Sequence, residues 1–285
     1  MRIDLHAHSA VSDGTDSPQE FADAAARAGL DVVALTYHDT FDGLPAASAA
    51  AARLGVRLVP GIEISTQLEG ASVHLLGYGC RTDDPPLLAE LERVRGGRDG
   101  RVPRMLAALA RLGMPVDEAT LARVRGQAPS IGRPHIADSL IALGYVADRQ
   151  EAFDKYLGDD GPAFVSRYAV GLGRGIDLVH GAGGVAVIAH PWGRASRALL
   201  TSTVLRRLVD RHGLDGVEVD HNDHDPATSA HLRRLAADLG LLATGSSDYH
   251  GTGKTGHPLG AHTTAPDVLA EIDARIATAG GWDGR

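Results

Sequence analysis

Cysteine is almost absent from this chain of 285 residues, because Cys80 is the only one. A single cysteine excludes an intrachain disulfide and a metal site built from several thiolates. Aromatic residues are also scarce, at 4% of the sequence against 44% for all hydrophobic residues. The core must therefore consist mainly of Ala, Val, Leu and Ile, and the chain is long enough to bury a sizeable one.

Long hydrophobic runs and an excess of positive charge are missing as well. No apolar run reaches the roughly 20 residues that a membrane span needs, and the first residues do not resemble a basic, apolar leader. The net charge of −8 argues against non-specific attraction to nucleic-acid backbones, although a local basic patch could hold phosphate. We expect a soluble, cytoplasmic protein without membrane contact or an obligate protein partner.

Short apolar runs alternate with helix-like segments along much of the sequence. Ser17, Pro18 and Glu20 supply an N-cap, a proline at the first helical position and a capping-box glutamate for the first helix. Seven strands are predicted, at "RIDLHAH", "DVVALTYH", "VRLVPGIEIS", "ASVHLLGYG", "GGVAVIAH", "LDGVEVD" and "GLLATGSSD". This βα alternation predicts an α/β fold with a parallel sheet, open or closed into a barrel.

Residues 84–169 interrupt the alternation. They contain helix-like runs such as "RVPRMLAALARLG", "DEATLARVRG" and "HIADSLIALG", without a convincing strand. We interpret this interval as a helical insertion in a domain formed by residues 1–83 and 170–285. The Gly- and Arg-rich residues 95–101 are predicted to form a turn region.

Histidines and carboxylates recur where the predicted strands end. His6 and His8 share parity at the end of the first strand, so both side chains point to one side. The candidate metal ligands are His6, His8, Asp13, His38, Glu63, His74, His190, Asp248 and His250. In parallel βα proteins, sites gather at the carboxyl ends of strands, and donors without thiolate suit Zn²⁺, Mn²⁺ or Fe²⁺.

Nine such residues exceed the needs of one ion, so the sequence predicts two or three divalent ions. A lone histidine such as His74 in an apolar strand is more often a hydrogen-bonded core residue. If all nine residues were hydrogen-bonded core residues of this kind, many ionisable groups would be buried without a metal, which is costly in desolvation. A pair outside the set, His221 and His224, could contact substrate or lie in a solvated loop.

Clustered divalent ions suit hydrolysis of a phosphate ester. They lower the pKa of bound water and neutralise the charge that develops on phosphate oxygens. The sequence has no G-x-S-x-G elbow, P-loop or cysteine nucleophile motif, which weighs against covalent and NTPase mechanisms. An amide or lactone hydrolase would use similar ligands, so the ligand set alone leaves that reaction class open.

Basic residues in the predicted insertion favour phosphate chemistry. Arg98 and Arg101 lie close together in "RGGRDGRVPR", and Arg133 and His135 stand at the start of a predicted helix. Guanidinium groups and helix N-termini both suit phosphate oxygens. The alternative is that these arginines only solvate helix ends.

The motifs "DLHAHS" with "SDG", "YHDT", "PGIEIS", "VHLLGYG", "IAHP" and "GSSDYHG" resemble the polymerase-and-histidinol-phosphatase (PHP) family, over the chain to about residue 260. The resemblance implies a distorted (β/α)₇ barrel with a helical insertion domain over a three-metal site. One ion would be held by His6, His8, Glu63 and Asp248, a second by Glu63, His74 and His190, and a third by Asp13, His38 and His250. The implied metal is Mn²⁺, with Fe²⁺ or Zn²⁺ as alternatives.

The segment from "GRPHIA" to "GDDGPAFV" resembles the PHP subgroup that removes phosphate from nucleotides. The implied enzyme is a metal-dependent phosphatase of nucleoside monophosphates or nucleoside 3′,5′-bisphosphates that works through metal-bound hydroxide. Its catalytic residues would be Asp13, His38, Glu63, His190 and Asp248, and its substrate would contact Arg98, Arg101, Arg133 and His135. The alternatives are a 5′→3′ exonuclease acting on short RNA or oligonucleotides and, after it, a histidinol-phosphate phosphatase.

The chain departs from the family pattern at Tyr37. Family members have Thr-Asp-His-Asp in the second strand, and here Tyr37 replaces the first Asp. Parity places Tyr37 on the face opposite His38, so the ligand set is expected to be spared. We expect the ring of Tyr37 to pack at the barrel rim. The alternatives are that Tyr37 closes the pocket or alters the preferred metal.

Overall fold

The computed structural model describes residues 1–193 and 197–282. The strands are β1 (Ile3–Asp4), β2 (Val32–His38), β3 (Arg57–Leu68), β4 (Ala71–Tyr78), β5 (Val170–Gly171), β6 (Val185–Ile188), β7 (Gly216–Asp220) and β8 (Leu242–Gly245). The helices are α1 (Pro18–Arg27), α2 (Leu44–Arg53), α3 (Pro85–Arg111), α4 (Glu118–Arg125), α5 (Arg133–Ala142), α6 (Arg149–Ala152), α7 (Leu172–Gly181), α8 (Ser202–His212), α9 (Pro226–Leu239) and α10 (Pro266–Ala279), and a π-helical turn (Phe153–Leu157) follows α6. Within these ranges no helix combines the length and apolar character needed to cross a membrane. The predicted barrel end at residue 285 lies outside the described residues.

The strands form one sheet that curls into a nearly closed barrel. Its order is β1-β2-β3-β4-β6-β7-β8, and the two-residue β5 pairs with β3 beside that path. The two ends of the sheet approach each other because Ala7 bridges to Tyr249 and the amide of His8 donates to the Tyr249 carbonyl at 2.8 Å. The predicted barrel is confirmed, and the strands along its path are those that the sequence predicts.

β4 departs from the predicted parallel arrangement, because it runs antiparallel to both β3 and β6. Leu68 pairs with Ala71, so Glu69 and Gly70 form a two-residue turn with φ values of 52° and 86°. Two positive φ values are typical of a type I′ hairpin turn, whose twist matches that of the strands. The prediction of a fully parallel sheet is therefore wrong at β4, whose start lies beside the ends of the parallel strands.

The start of α1 agrees with its sequence. The amide of Glu20 donates to Ser17 Oγ at 3.2 Å, and the amide of Ser17 donates to Glu20 Oε2 at 2.8 Å. Pro18 occupies the first helical position, where its missing N–H has no intrahelical partner to lose. This double cap fixes the end of the loop that carries Asp13.

Four clusters of buried apolar side chains are found in the described residues, and three of them pack the helices against the sheet. Among the largest fully buried side chains only Tyr37, Tyr78 and Phe21 are aromatic, and the others are Ile and Leu. This aliphatic core is what the scarcity of aromatic residues predicts. The fourth cluster, which includes Met105 and Ile136, lies among α3, α4, α5 and α6.

Residues 84–169, called the helical segment below, contain α3 to α6. α3 is one continuous helix of 27 residues, so the turn predicted at residues 95–101 is wrong. Burial of residues such as Leu91, Val94 and Met105 along this helix outweighs the poor helix propensity of its glycines. The division of the chain into a barrel and an insertion stays a prediction.

Asp215, immediately before β7, joins three elements. Its Oδ2 accepts hydrogen bonds from His180 Nε2 in α7 at 2.7 Å and from the amide of Ala186 in β6 at 2.8 Å. Its Oδ1 accepts from Arg275 Nη1 in α10 at 2.8 Å. The hydrogen bond to Asp215 raises the pKa of His180, and the negative charge of Asp215 acts in the same direction.

We predict that His180→Gln lowers the free energy of unfolding more at acid than at alkaline pH. Because the folded pKa lies above the unfolded value of about 6.5, protonated His180 stabilises the fold fully below that value and less as the pH rises through the folded pKa. For this partly exposed pair we expect about 0.5–1 kcal/mol. Urea unfolding of the wild type and of His180→Gln at about pH 5.5 and about pH 9 measures the difference in the free energy of unfolding. A difference that does not change with pH would contradict the raised pKa of His180.

Candidate metal centre

The barrel brings all nine predicted metal ligands to one edge of the sheet. His6 and His8 follow β1, Asp13 lies in the loop before α1, His38 ends β2, Glu63 and His74 lie in β3 and β4, His190 follows β6, and Asp248 and His250 follow β8. His38 pairs in register with Glu63. Because β4 is antiparallel to its neighbours, His74 near its start reaches the edge that the other ligands reach from strand ends.

The side chains form overlapping groups in which one ligand atom from each residue lies within 4.8 Å of the others. The groups are His6, His8, Glu63 and Asp248; His38, Glu63 and His74; and His8, Asp13, His38 and His250. His190 joins them through Glu63, because its Nε2 lies 3.4 Å from Glu63 Oε1. The structure therefore brings the predicted set together, with His8, His38 and Glu63 each shared between two groups.

Hydrogen bonds on the far side of two rings orient them toward the centre. His6 Nδ1 donates to Glu218 Oε1 at 3.2 Å, and His250 Nδ1 donates to the carbonyl of Asp248 at 2.9 Å. A proton on Nδ1 leaves the Nε2 lone pair free to bind a cation. His6 Nε2 lies 3.3 Å from Asp248 Oδ1, and His250 Nε2 lies 3.4 Å from Asp13 Oδ1. Carboxylates and carbonyls commonly orient metal-binding histidines in this way.

Asp13, Glu63 and Asp248 remain ionised although they are buried. Burial alone raises the pKa of each carboxyl, but the adjacent imidazoles outweigh this effect. At Asp248 the ammonium of Lys254 is the largest of the effects that oppose burial, ahead of the imidazoles. The three pKa values therefore lie well below the usual range, and the centre contains three buried negative charges.

The pKa values of four imidazoles, those of His6, His8, His190 and His250, are shifted in two opposite directions. Burial lowers the pKa of His190 and that of His250 to about 4, so both rings are neutral at physiological pH. Burial acts in the same direction at His6 and His8, but the neighbouring carboxylates outweigh it. They raise the pKa of His8 to about 9 and hold that of His6 well above its usual value. A divalent cation would displace these protons, because metal binding requires neutral imidazole.

The donor atoms fit divalent metal ions. Glu63 Oε1, Asp248 Oδ1 and His38 Nδ1 are buried, and no hydrogen bond satisfies them within the part of the chain that the structure describes. Unsatisfied polar atoms are costly to bury, and a coordinated cation removes that cost. Imidazole and carboxylate donors without thiolate suit Mn²⁺, Fe²⁺ and Zn²⁺.

Two of these residues have backbone conformations that side chains other than glycine rarely adopt. The φ angle is 28° at His190 and 52° at Asp248. Glu218 Oε2 accepts a hydrogen bond from the amide of His190 at 2.8 Å, which supports the strained turn. Strain of this kind persists where the surroundings impose it, and it is concentrated at functional sites.

Sequence reasoning missed two charged residues whose side chains contact side chains of the ligands. Glu218 in β7 is fully buried and accepts hydrogen bonds from His6 Nδ1 and Ser246 Oγ. Lys254 Nζ donates to Asp248 Oδ2 at 2.5 Å. A glutamate inside the apolar strand "GVEVD" is a usable signal for the first residue, whereas the glycine-rich loop around Lys254 offers none.

His221, His257 and Asp248 form a further group within 4.8 Å. His221 is fully buried and His224 is 7% exposed, so the interpretation of these two histidines as a solvated loop is wrong. Lys254 Nζ and His221 Nε2, the latter at 3.5 Å, both face Asp248 Oδ2. Because an ammonium already neutralises that oxygen, we assign no metal ion to this group.

Tyr37 points away from the ligands, as strand alternation predicts. Its ring is buried in a cluster that includes Phe21 of α1 and Leu44 of α2. Its hydroxyl accepts a hydrogen bond from Ser9 Oγ at 2.9 Å. The side chain therefore packs between the sheet and the helices.

The residues predicted to contact substrate, Arg98, Arg101, Arg133 and His135, lie in the helical segment. Arg98 Nε and Nη2 donate to Asp39 Oδ2 at 2.9 Å and 2.6 Å, and Arg98 Nη2 also donates to Ser65 Oγ at 2.6 Å. Because Asp39 directly follows His38, this ion pair attaches α3 to the metal centre.

His135 lies in the first turn of α5. Its Nδ1 accepts a hydrogen bond from the amide of Gly132 at 2.9 Å, so the neutral ring carries its proton on Nε2. Burial lowers the pKa of His135, and the negative charge of Asp13 acts in the opposite direction.

Arg167, which sequence reasoning missed, completes an arginine group with Arg98, Arg101 and Arg133. Burial lowers the pKa of Arg101 and of Arg167. Repulsion from the other three guanidinium groups lowers that of Arg101 further, and repulsion from Arg98 and Arg133 lowers that of Arg167. Arg101 is only 4% exposed, and its Nε has no hydrogen-bond partner among the described residues. Arg133 Nη1 pairs with Asp159 Oδ1 at 2.7 Å. Arg98 and Arg101 are buried, and positive charges removed from water favour a bound anion.

Comparison with known proteins places the chain among metal-dependent phosphoesterases. Residues 4–119 match the PHP domain. A 3′,5′-nucleoside bisphosphate phosphatase from Chromobacterium violaceum is 36% identical over 282 residues, covering 96% of this chain and 97% of that protein. A 5′-3′ exoribonuclease from Haemophilus influenzae is 33% identical over 253 residues, covering 87% of this chain and 90% of its own.

A solved structure agrees with these relationships. The crystal structure of a candidate metal-dependent phosphoesterase from Bifidobacterium adolescentis has a TM-score of 0.90 and 33% identity, covering 96% of each chain. Identity of this level along almost the whole chain, together with the buried histidine–carboxylate centre, establishes the relationship. The chain belongs to the PHP family and is a metal-dependent phosphoesterase.

Proposed function

We propose that the chain removes phosphate from nucleotides, with nucleoside 3′,5′-bisphosphates or nucleoside monophosphates as substrates. The observation that carries this proposal is the arginine group, which is attached to the metal centre through Arg98 and Asp39. The name of the Chromobacterium violaceum relative supports the same substrate class.

The charges of the arginine group favour a phosphate ligand. Asp39 and Asp159 pair with Arg98 and Arg133, whereas the Nε of buried Arg101 has no hydrogen-bond partner in the described part of the chain. A phosphate monoester carries about −1.5 to −2 charges at neutral pH and three acceptor oxygens. A phosphate group would therefore accept hydrogen bonds from the arginine donors, and neutralise the positive charge, that Asp39 and Asp159 do not already pair. Guanidinium groups can bind phosphate in bidentate geometry.

We propose three divalent ions at the centre. The first would be held by His6, His8, Glu63 and Asp248, the second by Glu63, His74 and His190, and the third by Asp13, His38 and His250. The proposed metal is Mn²⁺, with Fe²⁺ or Zn²⁺ as alternatives. Bound ions would lower the pKa of water and stabilise negative charge on phosphate oxygens. The predicted catalytic residues Asp13, His38, Glu63, His190 and Asp248 would act by holding the ions.

Residues of the chain would position the two ends of the substrate. The metal-binding side chains are oriented by the protein itself, because Glu218 accepts a hydrogen bond from the ring of His6 and Lys254 donates one to Asp248. Substrate is therefore not needed to orient them. The Nε2–H of His135 would donate a hydrogen bond to a substrate oxygen, and Arg101 and Arg167 would bind a second phosphate. A nucleoside 3′,5′-bisphosphate uses both ends, whereas a monophosphate uses one.

A 5′→3′ exonuclease acting on short RNA is the second candidate, because the Haemophilus influenzae relative has that name. The same ions and arginines would serve both reactions. A net charge of −8 disfavours a long track for the RNA backbone. Histidinol phosphate is the third candidate, and it lacks a second phosphate for the arginine group.

We predict that the Mn²⁺-loaded protein hydrolyses 3′,5′-bisphosphoadenosine with a kcat/KM about tenfold or more above that for AMP, because hydrogen bonds to charged groups contribute about 1.5–3 kcal/mol. Phosphate release measures this, with a 5′-phosphorylated dinucleotide and histidinol phosphate assayed in parallel. Comparable turnover of the dinucleotide would instead favour the exonuclease. A preference for histidinol phosphate would refute the nucleotide proposal.

We predict that Arg167→Gln raises KM for the bisphosphate about 10- to 100-fold and changes kcat/KM for AMP little, because it removes a charged donor to the second phosphate. Steady-state kinetics on both substrates provide the measurement. The matched control is Arg174→Gln, which changes an exposed arginine of α7. Equal losses on both substrates would place Arg167 outside a second phosphate site.

We predict that His190→Ala loses metal and activity while the protein still folds, because this neutral imidazole belongs to the proposed second ion. Mass spectrometry measures the metal content of the variant, and its circular dichroism spectrum shows whether it folds. His212→Ala, in α8, is the control and should behave as wild type. Wild-type metal content in His190→Ala would remove His190 from the site.

A further inference from the structure

The ligand group of the proposed third ion lies on three separate segments of the barrel. Asp13 is in the loop between β1 and α1, His38 ends β2, and His250 follows β8. His38 Nε2 lies 3.4 Å from Asp13 Oδ2, and His250 Nε2 lies 3.4 Å from Asp13 Oδ1. Loops are less constrained than strands, so the geometry of this group depends on what fixes its loops.

Arg149, the first residue of α6, contacts the loop of Asp13. Its Nε and Nη2 donate to Asp138 Oδ1 and Oδ2, both at 2.6 Å, in a two-pronged ion pair with α5. Its Nη1 donates to the carbonyl oxygen of Asp13 at 3.0 Å. Because Asp138 neutralises the guanidinium group, Arg149 can fix the Asp13 backbone without leaving an unpaired positive charge beside a cation site.

The same guanidinium group packs against the segment of His250. A Cβ atom added to Gly253 would lie 2.5 Å from Arg149 Nη1, so the guanidinium group in this position leaves no room for a side chain at residue 253. The amide of Gly253 donates to the carbonyl of His250 at 3.2 Å, which places the contact in the same turn as the ligand. Arg149 therefore touches two of the three segments that carry the group.

The third segment is also attached to the helical segment. Arg98 pairs with the carboxylate of Asp39, and Arg95 Nη1 donates to the carbonyl of Asp39 at 2.7 Å. Asp39 directly follows His38. All three ligands of this group thus lie beside contacts with the helical segment.

Ligands of the other two proposed ions are held within the barrel. Glu63 and His74 lie in paired strands, and Glu218 holds both the ring of His6 and the backbone of His190. Loss of a contact with the helical segment should therefore disturb one ion and spare two.

We propose that Arg149 is a positioning residue for the third ion, and that binding of this ion depends on docking of the helical segment against the barrel. The inference rests on the proposed assignment of three ions. It adds that α5 and α6 control one ion of the three through a single guanidinium group.

The test is the metal content of Arg149→Gln and the dissociation constant of each ion. We expect the third ion to bind about 10- to 100-fold more weakly, the usual effect of removing a residue that orients a ligand, while the first two bind as in wild type. After dialysis against limiting Mn²⁺, the content should fall from three ions to two. Competition with a chromophoric chelator yields the constants, and no substrate is needed.

The matched control is Arg125→Gln. Arg125 bonds the carbonyls of Ala128 and Pro129 within the helical segment, so its replacement removes an arginine there without changing a contact with the barrel. It should keep three ions. If Arg149→Gln does not fold, Arg149→Lys retains the charge but not the two-pronged geometry, and we expect the same selective loss in smaller degree.

Three results would overturn the proposal: wild-type affinity for all ions in folded Arg149 variants, equal weakening of all three ions, or only two ions in the wild-type protein. Failure of the proposed function is a separate observation. It would appear as a wild-type protein with full metal content that does not hydrolyse nucleotides.

Discussion

The buried carboxylate of Glu63 is the group around which the centre is arranged. Nitrogens of five imidazoles lie within 3.4 Å of its two oxygens, from His6, His8, His38, His74 and His190. A carboxylate without water is stable only beside positive charge, whether protons on these rings or bound cations supply it. Because the rings come from four strands, β1, β2, β4 and β6, or from the residues that follow them, a bound cation would join these strands to one another.

The helical segment both contacts the barrel beside the metal ligands and carries the arginine group, and Arg98 belongs to both arrangements. Arg98 attaches α3 to Asp39 beside one ligand, and Arg149 attaches α6 to the backbone of Asp13. The segment also brings together the arginine group that we propose to bind phosphate. Substrate recognition and the geometry of the third ion would therefore depend on the same docked arrangement of helices.

Local signals predicted much of the fold. The capping box of Ser17 and the strands of the barrel path appear where the sequence indicates them. The errors lie where a local preference is weak or is outweighed. The turn at Glu69 and Gly70 is a poor match to the usual hairpin pairs, so the reversal of β4 was missed. Three glycines indicated a break in α3, but burial along the helix keeps it continuous.

The sequence by itself determined which side chains could form the centre, because strand alternation and strand ends decide the direction in which a residue points. It could not determine which charges surround them. Glu218 and Arg149 are distant in sequence from the metal ligands they contact, and Arg167 is distant from the other arginines of its group, whereas Lys254 lies six residues after Asp248. No local pattern distinguishes Lys254, Arg149 or Arg167 from solvated surface residues. Only the closed barrel and the docked helices decided those neighbours, since partners across the fold are set by packing of the whole chain.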